Sequence, residues 1–95
     1  MRKKIVDLRG IREKAELHEL LKRKLRFPDY YGNNLDALYD VMTEPRYGMD
    51  LALLVDETTD SKLFDSLLET LKDAQEANSG LKVRVFRECR AEEED

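Results

Sequence analysis

Leu51-Ala52-Leu53-Leu54-Val55 is an unbroken apolar run near the middle of the chain. A strand with one wet face alternates apolar and polar residues. A continuous run instead suits a strand covered on both faces, the habit of parallel sheets. Parallel neighbours need a long crossover, normally a helix, and the chain offers helical patterns on both sides. Before the run, Lys4 to Leu8 reads as a short strand ended by Gly10. Apolar residues at 11, 15, 17, 20, 21 and 25 then predict a helix over Ile11 to Leu25, stopped by Pro28. A second, shorter helix follows from Leu35 to Thr43, and Glu44 to Asp50, with Pro45 and Gly48, reads as a loop. After the run, Thr59 or Asp60 can cap a helix with apolar positions 63, 64, 67, 68, 71 and 74. Gly80 is the expected left-handed cap of that helix. Leu81, Val83 and Val85 alternate with Lys82 and Arg84, which predicts an edge strand. The order is β-α-α-β-α-β. It implies an α/β fold with a small three-stranded parallel sheet and flanking helices. Residues 1–90 are expected to form one domain, and 91–95 an acidic, disordered tail.

Charge divides this chain more sharply than its sum of −4 suggests. Residues 1–26 hold ten Lys/Arg and four Asp/Glu, a net of +6. Residues 27–60 hold one base, Arg46, and eight acids, a net of −7. Residues 61–95 hold six bases and nine acids, a net of −3. The overall sign argues against nucleic-acid affinity spread over the whole surface. The acidic middle third points instead to a cationic partner. The basic cluster Lys22, Arg23, Lys24 and Arg26 has two readings: a nucleic-acid patch, or a solvated helix end whose cations suit the dipole. The second is favoured, because acids lie nearby and no aromatic is interleaved.

Within the acidic third, Pro28 to Thr43 stands apart. Leu35, Leu38 and Met42 can face a core. Asp36, Tyr39, Asp40 and Thr43 share another face of the same helix. Two carboxylates at i and i+4 repel, and no Lys or Arg in the helix offsets them. A local cost without local compensation suits a site shaped for an outside ligand. Carboxylates on a helix accept bidentate bonds from arginine, and neighbouring tyrosines add flat contact area. An ordinary acidic surface helix with half-buried tyrosines is the alternative.

The run Tyr30-Tyr31-Gly32-Asn33-Asn34-Leu35-Asp36-Ala37-Leu38-Tyr39-Asp40 resembles the signature of the barstar family, intracellular inhibitors of secreted bacterial ribonucleases. The resemblance is specific from Pro28 to Thr43 and weaker over the rest, up to Phe86. It implies a three-stranded parallel sheet with flanking helices. It also implies a partner: a basic, extracellular-type ribonuclease or related toxin, with carboxylates standing where RNA phosphates would. Carried over position by position, Asp40 is the central anion and Asp36 pairs with a further arginine. Tyr30 stacks on a catalytic histidine, and Gly32, Asn34, Tyr39 and Thr43 complete the contact. Asp73 on the third helix supplies a further acid, and Glu69 and Glu76 share its face. Two departures mark the edge of this surface. Tyr39 stands where the family often has tryptophan, and Glu44 where a glycine and an aromatic are expected.

Other chemistries find little support. Asp56-Glu57 after an apolar strand could suggest a phosphoryl-accepting pocket, but it follows the second strand of too short a chain. Asp36 and Asp40 lack the loop of a calcium site, and no histidine pair exists for a transition metal. No nucleophile, base and orienting group occur together, so no catalytic residue, metal or cofactor is expected. His18 reads as structural. Cys89, the one cysteine, permits no internal disulfide and suits a reducing, cytoplasmic setting. The chain is expected to be a monomer when free, with no membrane and no direct nucleic-acid partner. The rival reading is a nucleic-acid or nucleoprotein binding module that uses the basic first helix.

Overall fold

A computed structural model describes residues 2–88. Its elements are β1 (Lys3–Asp7), α1 (Lys14–Leu25), α2 (Leu35–Met42), a short 3-10 turn (Pro45–Tyr47), β2 (Asp50–Val55), α3 (Ser61–Ala77) and β3 (Lys82–Arg87). The three strands form one parallel sheet in the order β1-β2-β3. Lys4 is level with Leu51 and Leu51 with Val83. This is the expected α/β architecture, and β3 lies at an edge as expected; the structure adds the strand order, with β2 in the middle. Cys89 and the acidic tail lie outside the described residues.

Both crossovers step the same way across the sheet, so right-handed connections carry all the helices to one face. The core follows. Val6 on β1, and Leu51, Leu53 and Val55 on β2, bury against Leu17, Leu21, Leu38, Met42, Leu67 and Leu71. The expectation that β2 is covered on both faces is therefore corrected. Ala52 and Leu54 point to the other face, which no helix among the described residues covers. Ala52 is buried there by strand neighbours level with it, Ile5 and Arg84. Ile5 and Phe86 on that face remain exposed.

Helix ends depart from the sequence reading in ways that capping chemistry explains. α1 begins at Lys14 rather than Ile11, because Glu16 reaches back to accept from the Glu13 N–H at 3.3 Å. It ends on Arg26, which adopts a left-handed φ of 58° and donates its N–H to the Lys22 carbonyl. Phe27 also donates to that carbonyl, at 3.0 Å, and its ring then turns into the core. The buried stripe of α1 is Leu17, His18, Leu21 and Leu25. Ala15 is exposed, and His18 stands within the stripe. α3 starts as expected, with Asp60 Oδ1 accepting from the Leu63 N–H at 2.9 Å.

The far end of α3 corrects another expectation. Gly80 is not a left-handed cap; among the described glycines only Gly10 has a positive φ. The close passage of the two loops is felt at Gly48, where a Cβ would meet the Gly80 and Pro45 carbonyl oxygens at 3.3 Å; a Cβ on Gly80 would make only an ordinary contact, 3.4 Å from Gly48 Cα. The helix ends through Asn78, which is buried. Its Nδ2 donates to the carbonyls of Met42 and Glu44, each at 3.0 Å, and its Oδ1 accepts from the Gly80 N–H at 3.1 Å. Glu44 to Asp50, expected as plain loop, holds the 3-10 turn, with Tyr47 buried edge-on to Phe27 at 5.4 Å.

Asn78 thus ties the end of α2 to the end of α3. Asn78→Ala removes three hydrogen bonds and takes from the buried Met42 carbonyl its side-chain partner, while the Glu44 carbonyl keeps the Tyr47 N–H; the loss is expected to cost about 2–4 kcal/mol. Urea unfolding with an unchanged slope would measure that loss.

Candidate functional site

The two adjacent tyrosines separate completely. Tyr31 is 6% exposed and Tyr30 is 78% exposed. Tyr31 packs on Phe27 with ring centroids 4.8 Å apart, and its hydroxyl lies 2.7 Å from His18 Nδ1. Burial raises the Tyr31 pKa above its ordinary value, and burial together with the nearby Lys14 lowers that of His18. Both groups are therefore neutral at pH 7, which suits a buried hydrogen bond. This pair anchors the loop from inside and leaves Tyr30 outside.

Past the tyrosines the chain turns through Asn33, whose φ is 55°. Asparagine tolerates that left-handed region better than most residues. Gly32 does not occupy it, and a Cβ there would make only ordinary contacts, 3.4 Å from Ala37 Cβ and from Asn34 Nδ2. Asn34 then caps α2. Its Oδ1 accepts from the Ala37 N–H at 2.7 Å, and its Nδ2 donates to the Gly32 carbonyl at 3.2 Å. Asn34 thus shapes the loop as well as standing on it. Leu38, Val41 and Met42 are buried, while Leu35, expected in the core, is only partly so.

Asp36, Tyr39 and Asp40 face solvent. The two carboxylates sit in opposite fields. Asp36 lies in the first turn of α2, where the positive end of the helix dipole favours it. Asp40 lies toward the negative end, where no basic residue compensates. Neither carboxylate has a hydrogen bond or ion pair among the described residues. Thr43 closes the helix, its Oγ1 donating to the Asp40 carbonyl at 2.9 Å.

The −7 segment is less uniform than its sum. Glu44 is bound to Arg46 at 2.8 Å, and Asp50 to Arg84 at 2.9 Å. Asp60 caps α3, and the Asp56 carboxylate accepts from the Thr58 N–H. Within residues 27–60, the carboxylates without a hydrogen bond or ion pair among the described residues, Asp29, Asp36 and Asp40, lie in the loop and α2. Tyr30, Gly32, Asn34, Asp36, Tyr39 and Asp40 are exposed along the loop and α2, and Thr43 is partly exposed at the helix end. Asp73 is on the exposed side of α3, the helix against which α2 packs.

Sequence reasoning missed two contacts. His18 reads as a structural histidine and is one, but nothing local names Tyr31 as its partner. Asn78 looked like a turn residue beside Ser79 and Gly80, and nothing local marked it as a tie to α2. No helix among the described residues is long and apolar enough to cross a membrane.

Comparison with known proteins adds two findings. A family model described as "Barstar (barnase inhibitor)" matches residues 1–88. The chain is also similar to a Bacillus subtilis (strain 168) protein named "Putative ribonuclease inhibitor YrdF". It is 43% identical over 81 residues, covering 80% of this chain and 88% of that protein.

The His18–Tyr31 anchor carries a pH dependence. The unfolded chain's histidine takes a proton below about pH 6.5, whereas the buried ring resists it until a lower pH. Stability is thus fully present above the unfolded value and is lost as pH falls toward the folded one. Denaturant titrations between pH 7.5 and 5 are expected to show a decline with a slope of at most about 1.4 kcal/mol per pH unit. His18→Asn, whose amide can meet Tyr31 without titrating, is expected to flatten that decline.

Proposed function

The chain belongs to the barstar family, and from that premise we propose that it inhibits a ribonuclease by placing the acidic face of α2 in the enzyme's cationic active site. Asp40 stands at the centre in place of an RNA phosphate. Asp36 meets a second arginine, and Tyr30, projecting beside them, stacks on a histidine of the nuclease. Gly32 allows the partner's side chains to approach the loop backbone. Asn34, Tyr39 and Thr43 complete the contact, and Asp73 extends the acidic surface onto α3. The protein is an inhibitor and not an enzyme, acts in the cytoplasm as a monomer, and meets a basic ribonuclease of the secreted type.

One observation carries this reading. Asp40 is an exposed carboxylate held at the unfavourable end of a capped helix, with no partner of its own among the described residues. A cationic active site relieves that repulsion, so the interaction gained on binding is not first taken from an internal ion pair. The unpaired acids of the loop and α2 also steer a basic partner inward, an effect that weakens with salt. Arg46 and Glu44 neutralise each other at the rim, so the edge where this chain departs from the family pattern adds no net charge.

Asp40→Asn separates binding from stability. The variant is expected to fold with stability unchanged, or raised by a few tenths of a kcal/mol as repulsion with Asp36 and the dipole is relieved. Its affinity for a basic ribonuclease is expected to fall by about 2–5 kcal/mol, a range to which the family's own type complex contributes. Titration calorimetry and inhibition of RNA cleavage measure the second effect. Undiminished inhibition would remove Asp40 from the site. Direct RNA binding that weakens steeply with salt would favour the basic face of α1 instead.

A further inference from the structure

The first turns of all three helices open onto one cleft of about 480 Å³. Leu35 brings the start of α2 to its wall, and Lys14 and Lys62 bring those of α1 and α3. Each N-terminus contributes a partial positive charge and favours anions. Arg12, Lys14 and Lys62 add three full charges, and none is in an ion pair among the described residues. Two acids share the wall and do not cancel them. Asp60 is engaged as the N-cap of α3, and Glu13 is the N-cap residue of α1. The formal sum of these five side chains is +1 before the helix ends are counted.

A second observation is independent of charge. His18 is 2% exposed and lines this cleft. Its Nδ1 is taken by Tyr31, while its Nε2 has no hydrogen-bond partner among the described residues. A buried ring nitrogen without a partner is costly and calls for one. We propose that the cleft binds a phosphate-type oxyanion, held by Lys14, Lys62 and the His18 Nε2–H. In that tautomer Nδ1 accepts, and the Tyr31 hydroxyl donates to it. The anion is thereby linked through one imidazole to the residue that anchors the Tyr30–Asn34 loop. The proposal does not depend on the nuclease reading, and either can fail alone.

The whole chain at pH 7 is titrated with sodium phosphate, and in parallel with sodium chloride at matched ionic strength. Binding is followed by nitrogen–proton NMR, including the His18 ring nitrogens. Saturable shifts at Lys14, Leu35, Lys62 and His18 Nε2 are expected with phosphate only. The double variant Lys14→Gln, Lys62→Gln alters two exposed side chains that make no hydrogen bond among the described residues, so it should keep the parent's melting temperature in chloride. It is expected to bind phosphate about tenfold or more weakly. Adenosine 5′-monophosphate in a third arm separates the sources. Tighter binding with added shifts at Leu63 means the phosphate arrives on a nucleotide, and binding no tighter than phosphate means a free ion. Unsaturable shifts matching those in chloride, or saturable shifts unchanged in the double variant, would overturn the proposal.

Discussion

α2 is held at both ends by polar contacts from its neighbours, and the acidic surface depends on that restraint. The helix spans only Leu35–Met42, too short to be stable in water alone. It also carries two carboxylates that repel. Before it, Tyr31 is fastened by His18 and packed on Phe27. After it, Asn78 takes the carbonyls of Met42 and Glu44. Between these anchors Leu38, Val41 and Met42 bury in the core. The restraint comes wholly from the apolar side and the ends, so the face bearing Asp36, Tyr39 and Asp40 needs no internal partner.

That arrangement gives meaning to how charge is spread. Arginines on the sheet side are occupied: Arg9 bridges Asp7 and Glu88, and Arg84 holds Asp50. Exposed pairs of this kind contribute little stability each, but they remove free charge from that surface. Acids on the loop and α2 are left unpaired. Within residues 27–60, the contrast between paired and unpaired carboxylates marks the loop and α2 more finely than the segment's net charge does.

Much of this was legible in the residues. Helical spacing separates Asp36, Tyr39 and Asp40 from the leucine face without any tertiary information, and helices alternating with apolar runs imply the parallel sheet. The gaps have physical causes. Tyr30 and Tyr31 are chemically identical neighbours, and it is Tyr31 that meets His18 of α1 and the Phe27 ring, contacts that local sequence does not assign. Asn78 looks like a turn because its partners are backbone carbonyls some 35 positions earlier in the chain. The apolar run of β2 suggested two covering layers, yet Ala52 is buried by adjacent strands rather than by a helix. Gly80 suggested a left-handed cap, whereas the tight glycine is Gly48, pressed against the Gly80 carbonyl, a nearness that local pattern cannot reveal.

If Asp40 stands in for an RNA phosphate, the protein and RNA cannot occupy the nuclease together. The direct measurement is steady-state cleavage of a short RNA by a basic ribonuclease at several fixed inhibitor concentrations. Purely competitive behaviour is expected, with the apparent KM rising in proportion to inhibitor while kcat stays constant. A fall in kcat at unchanged KM would place the protein away from the active site and contradict phosphate mimicry.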